Sequence, residues 1–149
     1  MKKLPVLLAI SVTAALCGAP ASAQFSRPES AIKYRQSGMF LMGQHFSRVA
    51  AMANGRVPFD AKVAAENAEV VAFMSKIPWN GYVKEAPGGR AKPNIWTEQA
   101  KFKELNEKMM DDAAKLSAAA KAGNLDALKA AVKATDATCT SCHDTFRGS

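Results

Sequence analysis

Apolar residues recur at intervals of three and four along four stretches of this chain, which is the spacing of α-helices that bury one face. Proline, asparagine and glycine separate these stretches, and the alternating pattern of strands is rare. The pattern predicts helices over residues 26–54, 60–77, 93–122 and 124–146, with a loop over residues 79–92. The predicted fold class is therefore all-α.

The buried stripes and the connections between helices predict how these helices pack. The predicted inward positions include Arg35, Met39, Met42, Val63, Asn67, Phe102, Met109, Val132, Cys139, Cys142 and Phe146. Short connections within the first and the last pair of helices favour antiparallel neighbours. We therefore predict an antiparallel up-down-up-down four-helix bundle, in which the start of the first helix lies at the same end as the finish of the fourth.

Residues 1–23 have the three parts of a signal peptide: a basic start, an apolar run too short to span a bilayer, and an Ala-Ser-Ala cleavage sequence at residues 21–23. Cleavage would leave one exported domain over residues 24–149, with no stable membrane anchor. Cys17 would leave with the signal. A lipid anchor on Cys17 is the alternative, which we disfavour because Leu16 is larger than the small residue expected before such a cysteine.

The charge of the chain is positive, with 20 Lys and Arg against 13 Asp and Glu and a formal net charge of +7. A basic surface keeps a protein soluble, and it would also suit an acidic redox partner, although charge alone identifies none. The basic residues are spread along the chain without interleaved aromatic residues. The pattern therefore gives no support to nucleic-acid binding.

The sequence Cys139-Thr140-Ser141-Cys142-His143 is the most informative motif. C-x-x-C-H is the attachment pattern of c-type haem, in which the two thiols form thioethers and the imidazole ligates the iron. On a helix, Cys142 and His143 follow Cys139 by three and four residues, so all three side chains share one face. The predicted cofactor is one covalent haem c per chain, with His143 as an axial iron ligand.

Three other interpretations of this motif are weaker. A structural zinc site takes about four Cys or His ligands, and Cys142 and His143 are adjacent in sequence and make a poor tetrahedral pair. A thioredoxin-like pair needs a βαβ setting, which the sequence lacks. A disulfide between Cys139 and Cys142 does not explain the histidine.

The position of the two cysteines on the fourth helix predicts where the haem lies. Cys139 and Cys142 fall on the inward stripe of the fourth helix, so the haem is expected inside the bundle, near the C-terminus, facing Arg35 and Met39 of the first helix. An unpaired buried guanidinium is costly, so Arg35 is expected to pair with a haem propionate. The alternative is that Arg35 snorkels to water at the end of the bundle. His45 points to another side of its helix and is not expected to be a ligand.

Taken together, these motifs resemble the cytochrome c′ family over nearly the whole chain after residue 23. The matching segments are Gln24-Phe25, Arg27-Pro28-Glu29, Lys33-Tyr34-Arg35-Gln36, Pro58-Phe59-Asp60, Ile77-Pro78-Trp79, Pro93-Asn94-Ile95-Trp96, residues 115–120, and the C-terminal C-x-x-C-H with Phe146-Arg147. The resemblance implies a periplasmic haem protein, usually a homodimer. It also implies a five-coordinate iron whose buried distal face admits small gases, above all nitric oxide.

The resemblance also implies roles for single residues. Met39 would occupy the distal position above the iron, either as a steric gate or as the sixth iron ligand. Met42, one turn further along, would line the same pocket. Trp79 and Tyr82 match aromatic positions near the haem, and Arg147 matches a basic position close to the proximal ligand.

Two functions follow from these expectations, and they differ by one coordinate bond. The first is a gas-binding haem protein that takes nitric oxide or carbon monoxide and undergoes one-electron redox. The second is a low-spin electron carrier with Met39 and His143 as axial ligands. Peroxidase chemistry ranks last because the sequence shows no distal His and Arg pair that would assist O–O cleavage, so the chain is not expected to be an enzyme.

Overall fold

In the computed structural model, which describes residues 24–149, the chain folds into four α-helices over that range. They are α1 (Pro28–Ala53), α2 (Ala61–Met74), α3 (Gln99–Lys121) and α4 (Leu125–Phe146), and short 3-10 helices form at Pro78–Gly81 and Pro93–Trp96. The predicted all-α class is confirmed. The predicted signal peptide over residues 1–23, with Cys17, lies outside the described residues.

Polar caps and glycine set several helix ends where the sequence predicted them. The carboxylate of Asp60 accepts the backbone N–H of Val63 at 3.0 Å, and the side-chain carbonyl of Asn124 accepts that of Ala127 at 3.0 Å. Each such cap stabilises a helix by about 1 kcal/mol. Gly123 follows α3 with φ of +66°, a conformation that other residues adopt at a cost.

Two predicted helix starts differ from the structure. The first helix was predicted from residue 26, whereas α1 begins at Pro28, after the N-cap residue Arg27, which makes no side-chain capping bond. Pro93 begins a 3-10 turn, and α3 starts only at Gln99, because the backbone of Glu98 is not helical (φ −109°, ψ 45°). The apolar spacing in the sequence therefore extends across a point where the backbone is not helical, and it could not reveal this break.

The predicted inward position of Val63 is also wrong, because 41% of this residue is exposed. Ala64, Ala68 and Val71 form the inward face of α2 instead and are fully buried. Small alanine side chains allow α2 to pack closely on its neighbours, and the apolar stripe is therefore displaced by one residue from the predicted one.

The four helices pack as a ring around one core. Val49, Val71, Leu116 and Leu128, one from each helix, are fully buried. Each of these side chains contributes about 1.5–3 kcal/mol by leaving water. Each helix packs on the next in sequence, and α4 returns to α1, which confirms the antiparallel up-down-up-down four-helix bundle.

The long connection between α2 and α3 is fastened to the end of α4. Ala91 and Arg147 form an isolated antiparallel bridge, with the Lys92 N–H donating to the Phe146 carbonyl at 2.9 Å and the Gly148 N–H donating to the Arg90 carbonyl at 2.8 Å. This pairing brings residues far apart in sequence to one end of the bundle. None of α1 to α4 combines the length and apolarity that crossing a membrane requires.

A buried carboxylate joins α3 to α4. The side chain of Asp112 is 5% exposed and accepts hydrogen bonds from Lys108 Nζ at 2.8 Å and from Thr138 Oγ1 at 2.6 Å. Burial by itself raises the pKa of the Asp112 carboxyl. The hydrogen bonds and the charges of Lys108 and Lys115 outweigh burial and hold this pKa below its ordinary value.

We expect Asp112→Asn to lower the free energy of unfolding at pH 7 by about 1–3 kcal/mol, because the charge-assisted bonds are lost. A carboxyl whose folded pKa lies below its unfolded value of about 3.9 stabilises the protein above that pH and loses this effect as the pH falls through the folded pKa. The deficit of the variant should therefore shrink towards pH 3. Urea unfolding at both pH values measures this, with the exposed neighbour Asp111→Asn as control. A deficit independent of pH, or an equal deficit in the control, would contradict the assignment.

Candidate haem site

The last turns of α4 bring the three motif side chains to a single cavity of about 630 Å³. Cys139, Cys142 and His143 line it together, as their spacing on one helical face requires. Both thiols are partly buried and unbridged. The cavity volume lies within the range of about 300–1,000 Å³ that is typical of small-molecule and cofactor sites.

Burial keeps these three groups uncharged. It raises the pKa of the Cys139 thiol to about 11 and also raises the pKa of Cys142. Burial is the largest cause lowering the pKa of His143, and the positive charges of Arg147 and Arg90 lower it further. Neutral imidazole is the form that ligates metals. Nη1 of Arg147 lies 3.4 Å from Nδ1 of His143, which leaves Nε2 as the ring nitrogen that Arg147 does not engage.

Four aromatic rings form one wall of the cavity. Trp79 and Tyr82 stack with their ring centroids 6.1 Å apart, and Tyr82 meets Phe102 edge to face at 5.0 Å. Phe102 in turn meets Phe146 of α4 at 5.3 Å. Each such pair adds about 0.5–1.5 kcal/mol beyond the burial of area. Trp79 and Tyr82 both line this cavity.

Thioether side chains line the cavity from two helices. Met39 and Met42 reach it from α1, and Met42 is buried while Met39 is partly buried. From α3, Sδ of Met109 lies 3.7 Å from Sγ of Cys139. The sequence predicted Met109 as an inward residue and gave no sign that it would contact the cysteine.

Arg35 is 2% exposed, and a loop wraps around its guanidinium. Nη1 donates to the carbonyls of Gly81 at 2.7 Å and Ala86 at 2.8 Å, and Nη2 donates to that of Gly88 at 2.8 Å. The centre of the guanidinium lies 4.9 Å from the ring centroid of Tyr82, a cation–π distance. The alternative that Arg35 snorkels to water is therefore wrong, because its charge is buried and its donors are bonded to the backbone.

The loop lies so close to α1 that only glycine fits at position 81. A Cβ atom at Gly81 would lie 2.8 Å from the carbonyl oxygen of Ala31 and 2.9 Å from Cβ of Arg35. Gly81 stands between Trp79 and Tyr82 in sequence, so this close approach helps to hold both rings against the cavity.

Several cavity residues were not identified as site residues from the sequence. Phe102 and Phe146 were predicted as inward positions, and their place on an inward stripe beside the motif was the available signal. Thr138 lines the cavity directly before Cys139, where its hydroxyl reaches Asp112. Arg90 lies at the cavity because the long connection between α2 and α3 pairs with the end of α4. The sequence carries no local signal for this pairing.

His45 has a partner away from the cavity. Its Nδ1 lies 2.9 Å from Oδ1 of Asn67 on α2, and Nδ1 and Oδ1 share one hydrogen bond. His45 is not among the residues that line the cavity. The buried amide of Asn67, predicted as an inward position, is thereby satisfied by a side chain of the neighbouring helix.

The residues present fit a covalently attached haem. The cavity combines two thiols, one neutral imidazole, an aromatic wall and apolar thioethers, which together suit a large flat apolar group with a metal ion at its centre. Arg35, Arg90 and Arg147 also line this cavity and can offset the carboxylates that such a group carries. Within residues 24–149, no three His, Cys, Asp or Glu side chains converge as ligands of a metal ion, as a zinc site would need.

Comparison with known proteins agrees with this geometry. A sequence profile of the cytochrome c′ family matches residues 30–147. Cytochrome c′ of Alcaligenes xylosoxydans xylosoxydans is 44% identical over 124 residues, which cover 83% of this chain and 98% of that protein. The crystal structure of cytochrome c′ from Rubrivivax gelatinosus superimposes with a TM-score of 0.80 at 46% identity, covering 83% of this chain and 99% of that one.

A third similar structure is the nitric oxide complex of a variant of cytochrome c prime from Alcaligenes xylosoxidans. It superimposes with a TM-score of 0.81 at 42% identity, covering 85% of this chain and 99% of that one. A four-helix bundle with a C-terminal attachment motif thus defines a class of c-type haem proteins. This chain belongs to the cytochrome c′ family. Its cofactor is covalently attached haem c.

We expect Arg35→Lys to lower the free energy of unfolding by about 1–3 kcal/mol, because an ammonium group cannot span three carbonyls as the planar guanidinium does. Arg35→Leu should cost more, since the carbonyls of Gly81, Ala86 and Gly88 lose their donor. Urea unfolding measures the stability, and amide hydrogen exchange over residues 81–88 reports the loop. Lys33→Leu, which removes an exposed cation from the same helix, is the control. Equal effects of Arg35→Leu and Lys33→Leu would contradict this role.

Proposed function

We propose that this chain is a periplasmic haem protein that binds small gases, nitric oxide and carbon monoxide, at a five-coordinate high-spin iron, undergoes one-electron redox and is not an enzyme. The observation that carries the proposal is the asymmetry of the cavity. His143 is the only imidazole among the described residues that line it, and the side chains from α1 at the cavity are the thioethers Met39 and Met42. The nitric oxide complex of the Alcaligenes protein supports the choice of gas.

The residues of α4 hold the cofactor in this proposal. Cys139 and Cys142 would form the thioethers with haem, and His143 would supply a nitrogen ligand to the iron. Bound haem supplies an iron centre that changes oxidation state and accepts a gas as ligand. The lowered pKa of His143 keeps its imidazole neutral and available at neutral pH. Arg147 Nη1 lies 3.4 Å from Nδ1 of His143, and its positive charge contributes to keeping the imidazole neutral. Export through the predicted signal peptide at residues 1–23 belongs to the same proposal.

Arg35 serves two groups in this proposal. Its three bonds to loop carbonyls use three of the five guanidinium N–H groups. Because Arg35 also lines the cavity, its two remaining N–H groups are available to a haem propionate. Tyr82 lies against the guanidinium and Arg35 is only 2% exposed, so such an ion pair would be stronger than one in water.

The second candidate function is electron transfer with Met39 as the sixth ligand. A specific observation favours it, because the Met39 side chain is only partly buried, flexible and adjacent to the cavity. A thioether opposite a histidine is the ligand set of low-spin cytochromes c. The two functions can be separated by the spin state of the ferrous protein.

We expect the ferrous protein to have a high-spin absorption spectrum, with a broad Soret band and no sharp split α and β bands. Met39→Leu should leave this spectrum nearly unchanged because the two side chains are similar in volume. Met39→Ala should open the distal space and speed the binding of carbon monoxide, as stopped-flow mixing would show. Met42→Leu is the matched control on the same helix. A low-spin ferrous spectrum that Met39→Leu converts to high spin would assign the electron-carrier function instead.

We also propose that the protein is a homodimer that associates through α1 and α2. The five exposed large apolar side chains among the described residues lie on these two helices or between them: Phe40, Leu41, Val57, Val63 and Phe73. Of these, Phe73 is 65% exposed and Phe40 63%. Large exposed aromatic side chains on neighbouring helices support association, and stable dimers bury about 800 Å² per partner.

Phe73→Glu should shift the protein towards monomer, because it places a charge on the proposed apolar interface. Analytical ultracentrifugation at several protein concentrations measures the association. Ala118→Glu adds the same charge at an exposed position of α3 and should leave the association unchanged. A monomeric parent protein, or equal effects of the two substitutions, would contradict the proposed interface.

A further inference from the structure

Tyr82 is the residue of the aromatic wall whose polar group has no partner in the protein. The indole N–H of Trp79 donates to the carbonyl of Ser75, and the two phenylalanines of the wall carry no polar side-chain atom. Within residues 24–149 no hydrogen bond joins the Tyr82 hydroxyl to a side chain or to the backbone, and the hydroxyl is not enclosed by protein either. It is therefore open to the cavity that Tyr82 lines.

The other neutral donors of the cavity, outside the attachment motif, are either bonded or exposed. Thr138 is buried and donates to the Asp112 carboxylate at 2.6 Å. The exposed ones are Gln36, Gln44 and Ser47. A partly buried hydroxyl in an apolar wall is unfavourable unless it meets an acceptor. We therefore expect the acceptor for Tyr82 to belong to the group that fills the cavity.

Contacts on three sides hold the Tyr82 ring. It stacks on Trp79 at 6.1 Å and meets Phe102 at 5.0 Å, and the guanidinium of Arg35 lies 4.9 Å from its centroid. A tyrosine side chain has only two torsions, so these contacts restrict where the hydroxyl points. Burial is the largest effect on the pKa of Tyr82 and raises it, although the charges of Arg35 and Arg147 oppose this. The hydroxyl thus stays protonated at neutral pH and can donate.

The charges around Tyr82 favour an anionic acceptor. Arg35, Arg90 and Arg147 line the cavity, and within residues 24–149 no Asp or Glu side chain does. Arg35 uses three of its five N–H groups on loop carbonyls. A carboxylate at this place would meet cations that are not paired with an acid of the lining. The propionates of the haem are the carboxylates that the cofactor brings.

The packing of the bundle separates Tyr82 from Met39. Tyr82 packs against the apolar cluster formed by Ile95, Phe102, Leu105 and Phe146. Met39 packs against the other cluster, which contains Met42. Because these methionines are the side chains expected at the gas-binding face, a propionate is a better acceptor for the Tyr82 hydroxyl than an iron-bound gas.

We propose that the Tyr82 hydroxyl donates a hydrogen bond to a haem propionate beside the guanidinium of Arg35. Such a bond to an ionised carboxylate is short and directional, so Tyr82 acts as a positioning residue for the haem. The proposal rests on the pairing of Arg35 with a propionate within the proposed function. It does not depend on the sixth ligand of the iron.

Resonance Raman spectroscopy of the haem-loaded protein tests the bond, because the bending vibration of the propionates responds to hydrogen bonding. Tyr82→Phe removes the hydroxyl and keeps the ring. We expect it to shift this vibration and to lower the reduction potential, since a carboxylate without its donor stabilises ferric iron more strongly. Tyr34→Phe is the control, because Tyr34 is the other tyrosine of the chain and lies outside the cavity, 5.1 Å from Phe25. It should change neither quantity.

The C–O stretching vibration of the carbon monoxide complex distinguishes a propionate from a bound gas as the acceptor. We expect Tyr82→Phe to leave it unchanged. The proposal is wrong if Tyr82→Phe matches the parent in both the propionate vibration and the potential, or if Tyr34→Phe has the same effect. It is also wrong if only the C–O vibration shifts, since the hydroxyl would then serve the gas. Arg35→Lys tests the pairing of Arg35 by the propionate vibration, so failure of that pairing is measured separately.

Discussion

The guanidinium of Arg35 lies inside the protein, where a charge is unfavourable unless its donors are satisfied. Three carbonyls of the connection between α2 and α3 satisfy them, so this connection must cross the end of the bundle beside α1. The aromatic wall depends on that path, because Trp79 and Tyr82 belong to the same connection and Tyr82 packs against the guanidinium. One buried cation thus fixes the path of the connection that forms the aromatic wall of the haem cavity.

The periodic spacing of apolar residues was sufficient to predict four helices and their order, and the C-x-x-C-H spacing was sufficient to predict one shared face. These features depend on residues close together in sequence. The break before Gln99 and the carbonyl partners of Arg35 could not be predicted in the same way. They depend on backbone conformation and on contacts between segments about fifty residues apart, such as Arg35 with Gly88. The buried Asp112 was missed because a charged residue normally marks an exposed position, and its partner Thr138 lies on another helix.

Neighbouring helices of the bundle differ in how closely they pack against each other. Asp112 and Thr138 fasten α3 to α4 with a buried charge-assisted bond, and alanines bring α2 close to its neighbours. The pair α1 and α4 instead borders two cavities, the haem cavity and a second of about 1260 Å³ lined by Met52 and Val132, and Phe46 lines both. Both cavities therefore lie along the same side of the bundle. A substitution of Phe46 would therefore change the shape of both cavities.

Gly81 has a consequence for how far related sequences can diverge. A hydrogen atom is all that fits between the loop and α1 at this position, because the carbonyl of Ala31 and the stem of Arg35 lie within 3 Å of where a methyl group would be. At Gly43, on the same helix and also at the haem cavity, a Cβ atom would meet nothing within 4 Å. Related sequences can therefore carry larger side chains at position 43, where they would change the entrance of the pocket. At position 81 any larger residue would displace the aromatic wall.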